Sequence, residues 1–72
     1  MPTMVIPKLV PGATGDMVSA LQNALSANGF AAPASGTFDD ATVAALEAFQ
    51  DDNALPVRPL CDKANWAALG PK

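Results

Sequence analysis

The amino-acid sequence predicts an all-α fold, a small three-helix globule with extended loops and an irregular, proline-rich N-terminal arm. Three observations support this prediction. Apolar residues recur at helical spacing in three segments, each segment starts at an acidic residue or a glycine, and all seven prolines stand outside them. A chain of 72 residues has room for one domain, and such a chain buries only about 60% of its unfolded surface.

The chain divides into an arm, residues 1–12, and a helical domain, residues 13–70. Three prolines within the arm remove backbone donors and favour extended geometry in the residues before them. The arm is also rich in apolar residues. We therefore expect the stretch between Met1 and Val10 either to pack back along the domain or to lie on a protein partner, and the sequence leaves both open.

The first helix is predicted over residues 16–28. Met17, Leu21 and Leu25 recur at i, i+4 and i+8, with Val18 alongside, which predicts one buried face. The acidic first residue suits the positive end of the helix dipole. Gly29 is the type of residue that commonly ends a helix in the left-handed conformation.

The second helix is predicted over residues 40–53, after a turn at Gly36, which adopts positive φ at no steric cost. Asp39 is the predicted N-cap, because its side-chain oxygen can accept from the free amides of the first turn. The apolar face of this helix consists of Val43, Leu46 and Phe49.

A short third helix is predicted over residues 63–69, with Asp62 as its cap. The connector before it contains two prolines and cannot be helical. Leu55 and Val57 alternate with other residues there, which predicts an extended segment with one side facing inward.

The starts of the second and third helices resemble each other. A shift of 23 residues places five residues onto five others: Phe38 on Cys61, Asp39 on Asp62, Thr42 on Asn65, Val43 on Trp66 and Leu46 on Leu69. The sequence therefore predicts two similar loop–helix units.

Charge and composition exclude several classes of function. The net charge of −3 argues against nucleic acid and anionic membranes as partners. No apolar run approaches the length of a transmembrane helix, and no secretory signal peptide is evident. One cysteine and no histidine leave no internal disulfide, zinc site or catalytic triad, so no metal or cofactor is predicted.

Enzymatic chemistry is not predicted either. The carboxylates adjacent in sequence, such as Asp39 with Asp40, point in different directions on a helix, so they do not form an acid–base pair. We expect a non-enzymatic protein.

Three stretches in this order resemble the small bacterial peptidoglycan-binding domain. They read L-V-P-G-A-T-G-D-M-V-S-A-L-Q-N-A-L, S-G-T-F-D-D-A-T-V-A-A-L-E-A-F-Q and A-L-P-V-R-P-L-C-D-K-A-N-W-A-A-L, and together they span about Leu9 to Leu69. The resemblance implies a three-helix globule that binds cell wall without catalysis, in a family often appended to cell-wall hydrolases. It also implies association with a cell wall, whereas a virion-associated location belongs to the alternative role given below.

The sequence departs from the family pattern at its loops. Ser35 replaces the first aspartate of one Asp-Gly pair, and Arg58 with Pro59 replaces the other pair. Asp39 and Asp62 replace the glycines before the two later helices. An aspartate there suits an N-cap, so the resemblance still implies the fold, whereas two loop carboxylates that could contact a ligand are absent.

Candidate wall contacts are polar residues on the two loops and the central helix. They are Ser35, Thr37, Asp39, Gln50, Asn53 and Arg58. For each of them the alternative is a solvated or locally capping role. Gln22 and Gln50 are both expected to bond local backbone.

The predicted core comprises large apolar residues of the three helices and the first loop. It consists of Leu21, Leu25, Phe38, Val43, Leu46, Phe49, Trp66 and Leu69. We favour a core position for Trp66 over a sugar-stacking platform because of its helical spacing with Leu69. Cys61 is expected to be a buried, inert thiol.

Two functions remain open from the sequence. The chain is a module that binds peptidoglycan, or a stand-alone structural module that docks on protein partners, for example in a virion or another assembly. The apolar arm and the altered loops motivate the second function.

Overall fold

Three α-helices follow one another along the chain, which confirms the predicted all-α fold. The computed structural model describes residues 8–69, and it places α1 at Asp16–Ala27, α2 at Asp40–Asp52 and α3 at Lys63–Ala68. Each helix ends one residue earlier than predicted, because the next residue forms the C-cap. Most of the predicted arm, residues 1–7, lies outside the described residues.

The two later helices begin as their capping aspartates predict. The side chain of Asp39 accepts a hydrogen bond from the amide of Thr42, and the side chain of Asp62 accepts one from the amide of Asn65. Each bond satisfies one of the amides that a helix leaves free in its first turn. The first helix follows Gly15 and has no side-chain cap.

The first helix ends at a glycine in the left-handed conformation. Gly29 has φ 94°, and its amide donates to the carbonyl of Ser26 at 3.1 Å. The amide of Phe30 donates to the carbonyl of Leu25 at 2.9 Å. These two bonds form a Schellman motif, which satisfies carbonyls at the helix end.

The second helix ends in the same motif without a glycine. Ala54 has φ 58°, and the amide of Leu55 donates to the carbonyl of Gln50 at 2.8 Å. An L-residue with a Cβ is disfavoured in this left-handed conformation. The end of α2 therefore contains a strained alanine where α1 has a glycine.

The described part of the arm packs along its own domain. Leu9 and Cys61 exchange both backbone hydrogen bonds as an antiparallel bridge, at 2.8 and 2.9 Å, and Leu9 is buried. Further along, the amide of Phe38 donates to the carbonyl of Ala13 at 2.8 Å. The N-terminal segment thus pairs with the residues before both later helices. In residues 8–69 this pairing consists of isolated bridges and not of strands.

The core lies between α1 and α2 and extends to the start of α3. Its buried apolar residues are Leu9, Val18, Leu21, Leu25, Ala32, Phe38, Ala45, Leu46, Phe49, Cys61 and Leu69. The rings of Phe30 and Phe49 meet edge to face, with centroids 5.8 Å apart. Val43 and Trp66, which the 23-residue shift superimposes, are both half-buried and pack against this core.

Two apolar residues lie outside the predicted core faces. Met17 and Val18 are both predicted on the buried face of α1, and Val18 is fully buried there, whereas Met17 is 43% exposed. At 3.6 residues per turn, Met17 lies roughly 90° from the centre of the face formed by the buried residues of α1. Val57 in the connector is 52% exposed, so the inward-facing side there belongs to the half-buried Leu55 and Leu60.

Candidate functional site

A fully buried glutamine of α1 holds the first loop, residues 35–37, from inside the domain. The Oε1 atom of Gln22 accepts a hydrogen bond from the amide of Gly36 at 3.0 Å. Its Nε2 donates to the carbonyl of Thr37 at 2.9 Å and to Oγ1 of Thr42 at 2.8 Å. Both ends of the buried amide are therefore satisfied, and the loop backbone is fixed by them.

The serine of this loop organises the turn. Ser35 Oγ accepts from the amide of Thr37 at 3.3 Å and lies 3.2 Å from Oδ2 of Asp39, to which it can donate. Gly36 between them has φ 80°, as the predicted turn requires. The structure thus brings together three predicted contact residues, Ser35, Thr37 and Asp39.

The carboxylate of Asp39 is engaged by its own helix. Oδ1 accepts from the amide of Thr42 at 3.0 Å and from the hydroxyl of Thr42 at 2.8 Å. The hydroxyl bond, then the amide bond, holds the pKa of Asp39 below its ordinary value of 3.8, and the hydroxyl of Ser35 adds to this effect. Asp39 is therefore ionised at neutral pH and serves as the cap of α2.

A second buried glutamine holds the second loop, residues 58–60, in the same way. The Oε1 atom of Gln50 accepts from the amide of Arg58 at 2.8 Å. Its Nε2 donates to the carbonyl of Leu60 at 3.0 Å and to Oδ1 of Asn65 at 3.1 Å. Gln50 is fully buried, and these bonds give it a role in positioning the loop. A contact between Gln50 and a ligand stays a prediction.

Gln22 and Gln50 were both predicted to form hydrogen bonds with backbone groups close to them in sequence, and this prediction is wrong. The backbone of a helix interior already pairs with itself, so an inward-pointing amide must find partners elsewhere. Gln22 reaches residues 13–20 positions away in sequence, and Gln50 reaches residues 8–15 positions away.

The cap of α3 repeats the cap of α2 with one addition. Oδ1 of Asp62 accepts from Nδ2 of Asn65 at 2.8 Å, and Oδ2 lies 3.6 Å from the guanidinium of Arg58. The side-chain bond from Asn65 is the main reason that the pKa of Asp62 is below 3.8, and the charge of Arg58 contributes.

These hydrogen bonds confirm the predicted repeat. The shift of 23 residues that places Thr42 on Asn65 also places the carbonyl of Thr37 on that of Leu60. In the first unit Thr37 and Thr42 accept from Gln22, and in the second unit Leu60 and Asn65 accept from Gln50. The roles of Thr42 and Asn65 were not predicted from the sequence. The available signal was a polar residue three positions after each capping aspartate.

The remaining predicted contact residues are separate from the first loop. Arg58 is exposed on the second loop. Asn53 caps the far end of α2, where its Nδ2 donates to the carbonyl of Phe49 at 2.8 Å. A helix of 13 residues is about 20 Å long, so Asn53 and Asp39 do not share one site. Contact between wall and any of these residues stays a prediction.

The cysteine that follows the second loop has an unreactive thiol. The thiol of Cys61 is fully buried, and burial raises its pKa to about 12, so it is protonated at neutral pH.

Within residues 8–69 there is no group of three or more side chains suited to hold a metal ion and no enclosed pocket. The described helices include none with the length and apolar content needed to cross a membrane.

A family profile for the peptidoglycan binding domain matches residues 14–69, which include all three helices and both loops. The comparison with curated proteins finds no match.

Solved structures match over nearly the whole chain. The SleB N-terminal domain is 34% identical with a TM-score of 0.83, and the match covers 88% of each chain. A peptidoglycan-binding protein from Clostridioides difficile, in complex with glutamine hydroxamate, is 26% identical with a TM-score of 0.86, over 89% of this chain and 40% of that one. The endolysin of Burkholderia phage AP3 is 30% identical with a TM-score of 0.86, over 89% of this chain and 25% of that one.

Proposed function

Because the chain belongs to the peptidoglycan-binding domain family, we propose that it is a non-catalytic module that binds bacterial cell wall through its two glutamine-held loops. The observation that carries this proposal is the extent of the family match, which includes every helix and both loops. The same function implies association with a cell wall. The alternative, docking on a protein assembly, is not favoured by the comparisons.

The arrangement of polar groups supports a binding role over a hydrolytic one. The carboxylates nearest the loops, those of Asp39 and Asp62, are engaged as helix caps with lowered pKa values. A general acid needs the opposite shift, because it must stay protonated near neutral pH. The chain also has no histidine to serve as a base.

The loops are suited to recognition by hydrogen bonds. All four aromatic side chains belong to the core or pack against it, which favours hydrogen bonding over the stacking of sugar rings. Thr37 keeps its hydroxyl at the surface while its backbone is held by Gln22. A loop fixed before binding loses less conformational entropy when a ligand arrives, which favours affinity.

Co-sedimentation with purified sacculi tests the proposed function. We expect the folded chain to pellet with sacculi and to remain in solution with cellulose, an insoluble polysaccharide that lacks peptide. Soluble fragments from digested sacculi should compete. Failure of the folded chain to pellet with sacculi would contradict the proposal.

The placement of the ligand on the loops has its own test. Thr37→Ala removes an exposed hydroxyl without removing the backbone bond to Gln22, and Asn23→Ala removes an exposed polar group from α1. Loss of one hydrogen bond is expected to weaken binding about two- to tenfold for Thr37→Ala. Asn23→Ala should bind as the wild type does. Equal binding by both variants would exclude a contact at Thr37 without affecting the proposed function.

The non-catalytic assignment is tested with dye-labelled sacculi. No soluble dye above the level of a buffer blank is expected after prolonged incubation with the chain. Release that rises with protein concentration would show that the chain is a hydrolase.

A further inference from the structure

Positive charge is concentrated at one place within residues 8–69 of this acidic chain. The described cations are Lys8, Arg58 and Lys63, which we call the basic face. The acidic residues other than Asp62 lie on or immediately before α1 and α2, and they are Asp16, Asp39, Asp40, Glu47, Asp51 and Asp52.

The antiparallel bridge explains why residues distant in sequence share this face. Leu9 and Cys61 exchange both hydrogen bonds, so positions 8 and 62 lie opposite each other, with Cα atoms about 4.5 Å apart in such pairs. Successive side chains of extended backbone point to opposite sides, and Leu9 and Cys61 point inward. Lys8 therefore points outward beside Asp62, which Lys63 follows directly in sequence.

The positive charge of the basic face is only partly neutralised. In residues 8–69 one ion pair forms, between Arg58 and Asp62, and its 3.6 Å separation is long. The other carboxylate oxygen of Asp62 is occupied by Asn65. Three cations and one carboxylate give 3 − 1 = +2 at this face, while the whole chain carries −3.

Resting on the proposed wall-binding function, we infer that the basic face holds free carboxylates of the peptide part of peptidoglycan. Ammonium and guanidinium groups form strong, charge-assisted hydrogen bonds with anionic groups, carboxylates and phosphates alike, and neutral sugars offer them no charge. Free carboxylates are the anionic groups of the peptide part of peptidoglycan, and the test below distinguishes them from phosphate. The acidic surface elsewhere repels a ligand of this kind, so the charge distribution also orients the chain on the wall. The second loop belongs to the same face, because Gln50 fixes the backbone of Arg58.

Two matched variants test this inference on intact sacculi. Lys8→Gln/Lys63→Gln removes two charges from exposed side chains that make no described ion pair, and Lys8→Arg/Lys63→Arg keeps both charges. Exposed ion pairs are individually weak, so we expect the Gln variant to bind about tenfold more weakly and the Arg variant to bind within about twofold of the wild type. Circular dichroism checks that both variants fold.

The wall itself supplies the second arm of the test. Sacculi whose carboxylates have been converted to amides should bind the wild type at least as weakly as untreated sacculi bind the Gln variant, because amidation also removes the partners of Arg58. On amidated sacculi the wild type and the Gln variant should bind about equally. Sacculi treated with hydrofluoric acid, which removes phosphodiester-linked polymers, should retain full binding.

Each contrary outcome has a distinct meaning. Equal binding of the Gln variant and the wild type to untreated sacculi, or of the wild type to amidated and untreated sacculi, would overturn the inference and leave the wall-binding function standing. Loss of binding after hydrofluoric acid would overturn it in favour of a phosphate polymer. No binding of the wild type to any sacculi would instead contradict the proposed function.

Discussion

Gln22 and Gln50 show how much of this fold depends on two side chains. Each places a primary amide in the dry interior and satisfies both of its ends with loop backbone and polar side chains, two of them for Gln22 and one for Gln50. A buried amide is tolerated only when its partners are present, and the partners equally depend on the amide. The two residues therefore fix the loops to the helices.

Replacing one of these glutamines with an apolar residue tests this dependence. Gln50→Leu removes the partner of three groups: the amide of Arg58, the carbonyl of Leu60 and the Oδ1 atom of Asn65. The free energy of unfolding should fall by about 1–3 kcal/mol for each group left dry. Asn23→Leu, at an exposed position of α1, should change it by about 0.5 kcal/mol or less. Urea denaturation measures both, and equal midpoints would show that the glutamine does not hold the loop.

Ala54 is a second residue whose replacement gives a clear prediction. It adopts φ 58° at the end of α2, where glycine has no steric cost. Ala54→Gly should raise the free energy of unfolding by about 0.5–1 kcal/mol, the relief of left-handed strain less the greater freedom of the unfolded chain. Ala48→Gly, in the interior of the same helix, should lower it by about 1 kcal/mol. Thermal unfolding distinguishes them, and a loss of stability in Ala54→Gly would contradict the assigned strain.

At the scale of single residues, the sequence predicts roles that depend on local chemistry. Asp39, Asp62, Gly29 and Gly36 act as their residue types and spacing indicate, because caps and turns form between near neighbours. The partners of Gln22 could not be found in this way. They are separated from it by an entire loop, and only the folded chain brings them together.

At the scale of elements, the starts of α2 and α3 depend on ionised caps. Asp39 and Asp62 both have lowered pKa values in the folded chain, so their ionised forms stabilise it. This contribution is present above the ordinary value of 3.8 and is lost as pH falls below that value through the folded pKa.

Asparagine substitutions keep the capping oxygen of Asp39 and Asp62 and remove the ionisable group, so they test whether ionisation of the caps affects stability. In Asp39→Asn/Asp62→Asn the side-chain oxygen still caps each helix, but it no longer ionises. Urea midpoints measured from pH 7 to about pH 2 should fall less steeply below pH 3.8 for this variant than for the wild type. Asp51→Asn/Asp52→Asn makes the same change in net charge without altering a cap and should follow the wild type. Parallel curves for the cap variant and the wild type would contradict the assigned role.

The first and last residues of each helix could be predicted to within one residue. Which side chains of a helix are buried was harder to predict. The spacing of Met17 with Leu21 fits a helix face, but it does not say where the centre of that face lies. Packing against α2 decides this, and it places Val18 inside. Trp66 is likewise half-buried, since the short α3 presents it at the margin of the core.

At the scale of the whole molecule, one small core supports the fold. Phe49 is buried against Phe30, and Phe49→Ala should lower the free energy of unfolding by about 3–5 kcal/mol. A chain of this size has a total of only about 0.05–0.15 kcal/mol per residue, so most of its stability would be lost. Circular dichroism in urea measures the effect. A loss below about 1 kcal/mol would contradict the central position of Phe49.

The family and its architecture could be predicted from the sequence because the pattern of caps, turns and apolar spacing extends over both units. The basic face could not be predicted, because Lys8 and Lys63 are 55 positions apart in the sequence. The bridge between Leu9 and Cys61 brings them together, and such pairing has no signal within either segment.

The most direct test of wall binding is a titration of the isotope-labelled chain with soluble peptidoglycan fragments, in which NMR measures the chemical shift of each backbone amide. We predict saturable shifts at residues 35–37, at residues 58–63 and at Lys8, with little change at Glu47, Asp51 and Asp52 of α2. Shifts confined to α2, or no shift with any fragment at millimolar concentration, would contradict wall binding through the two loops and the basic face.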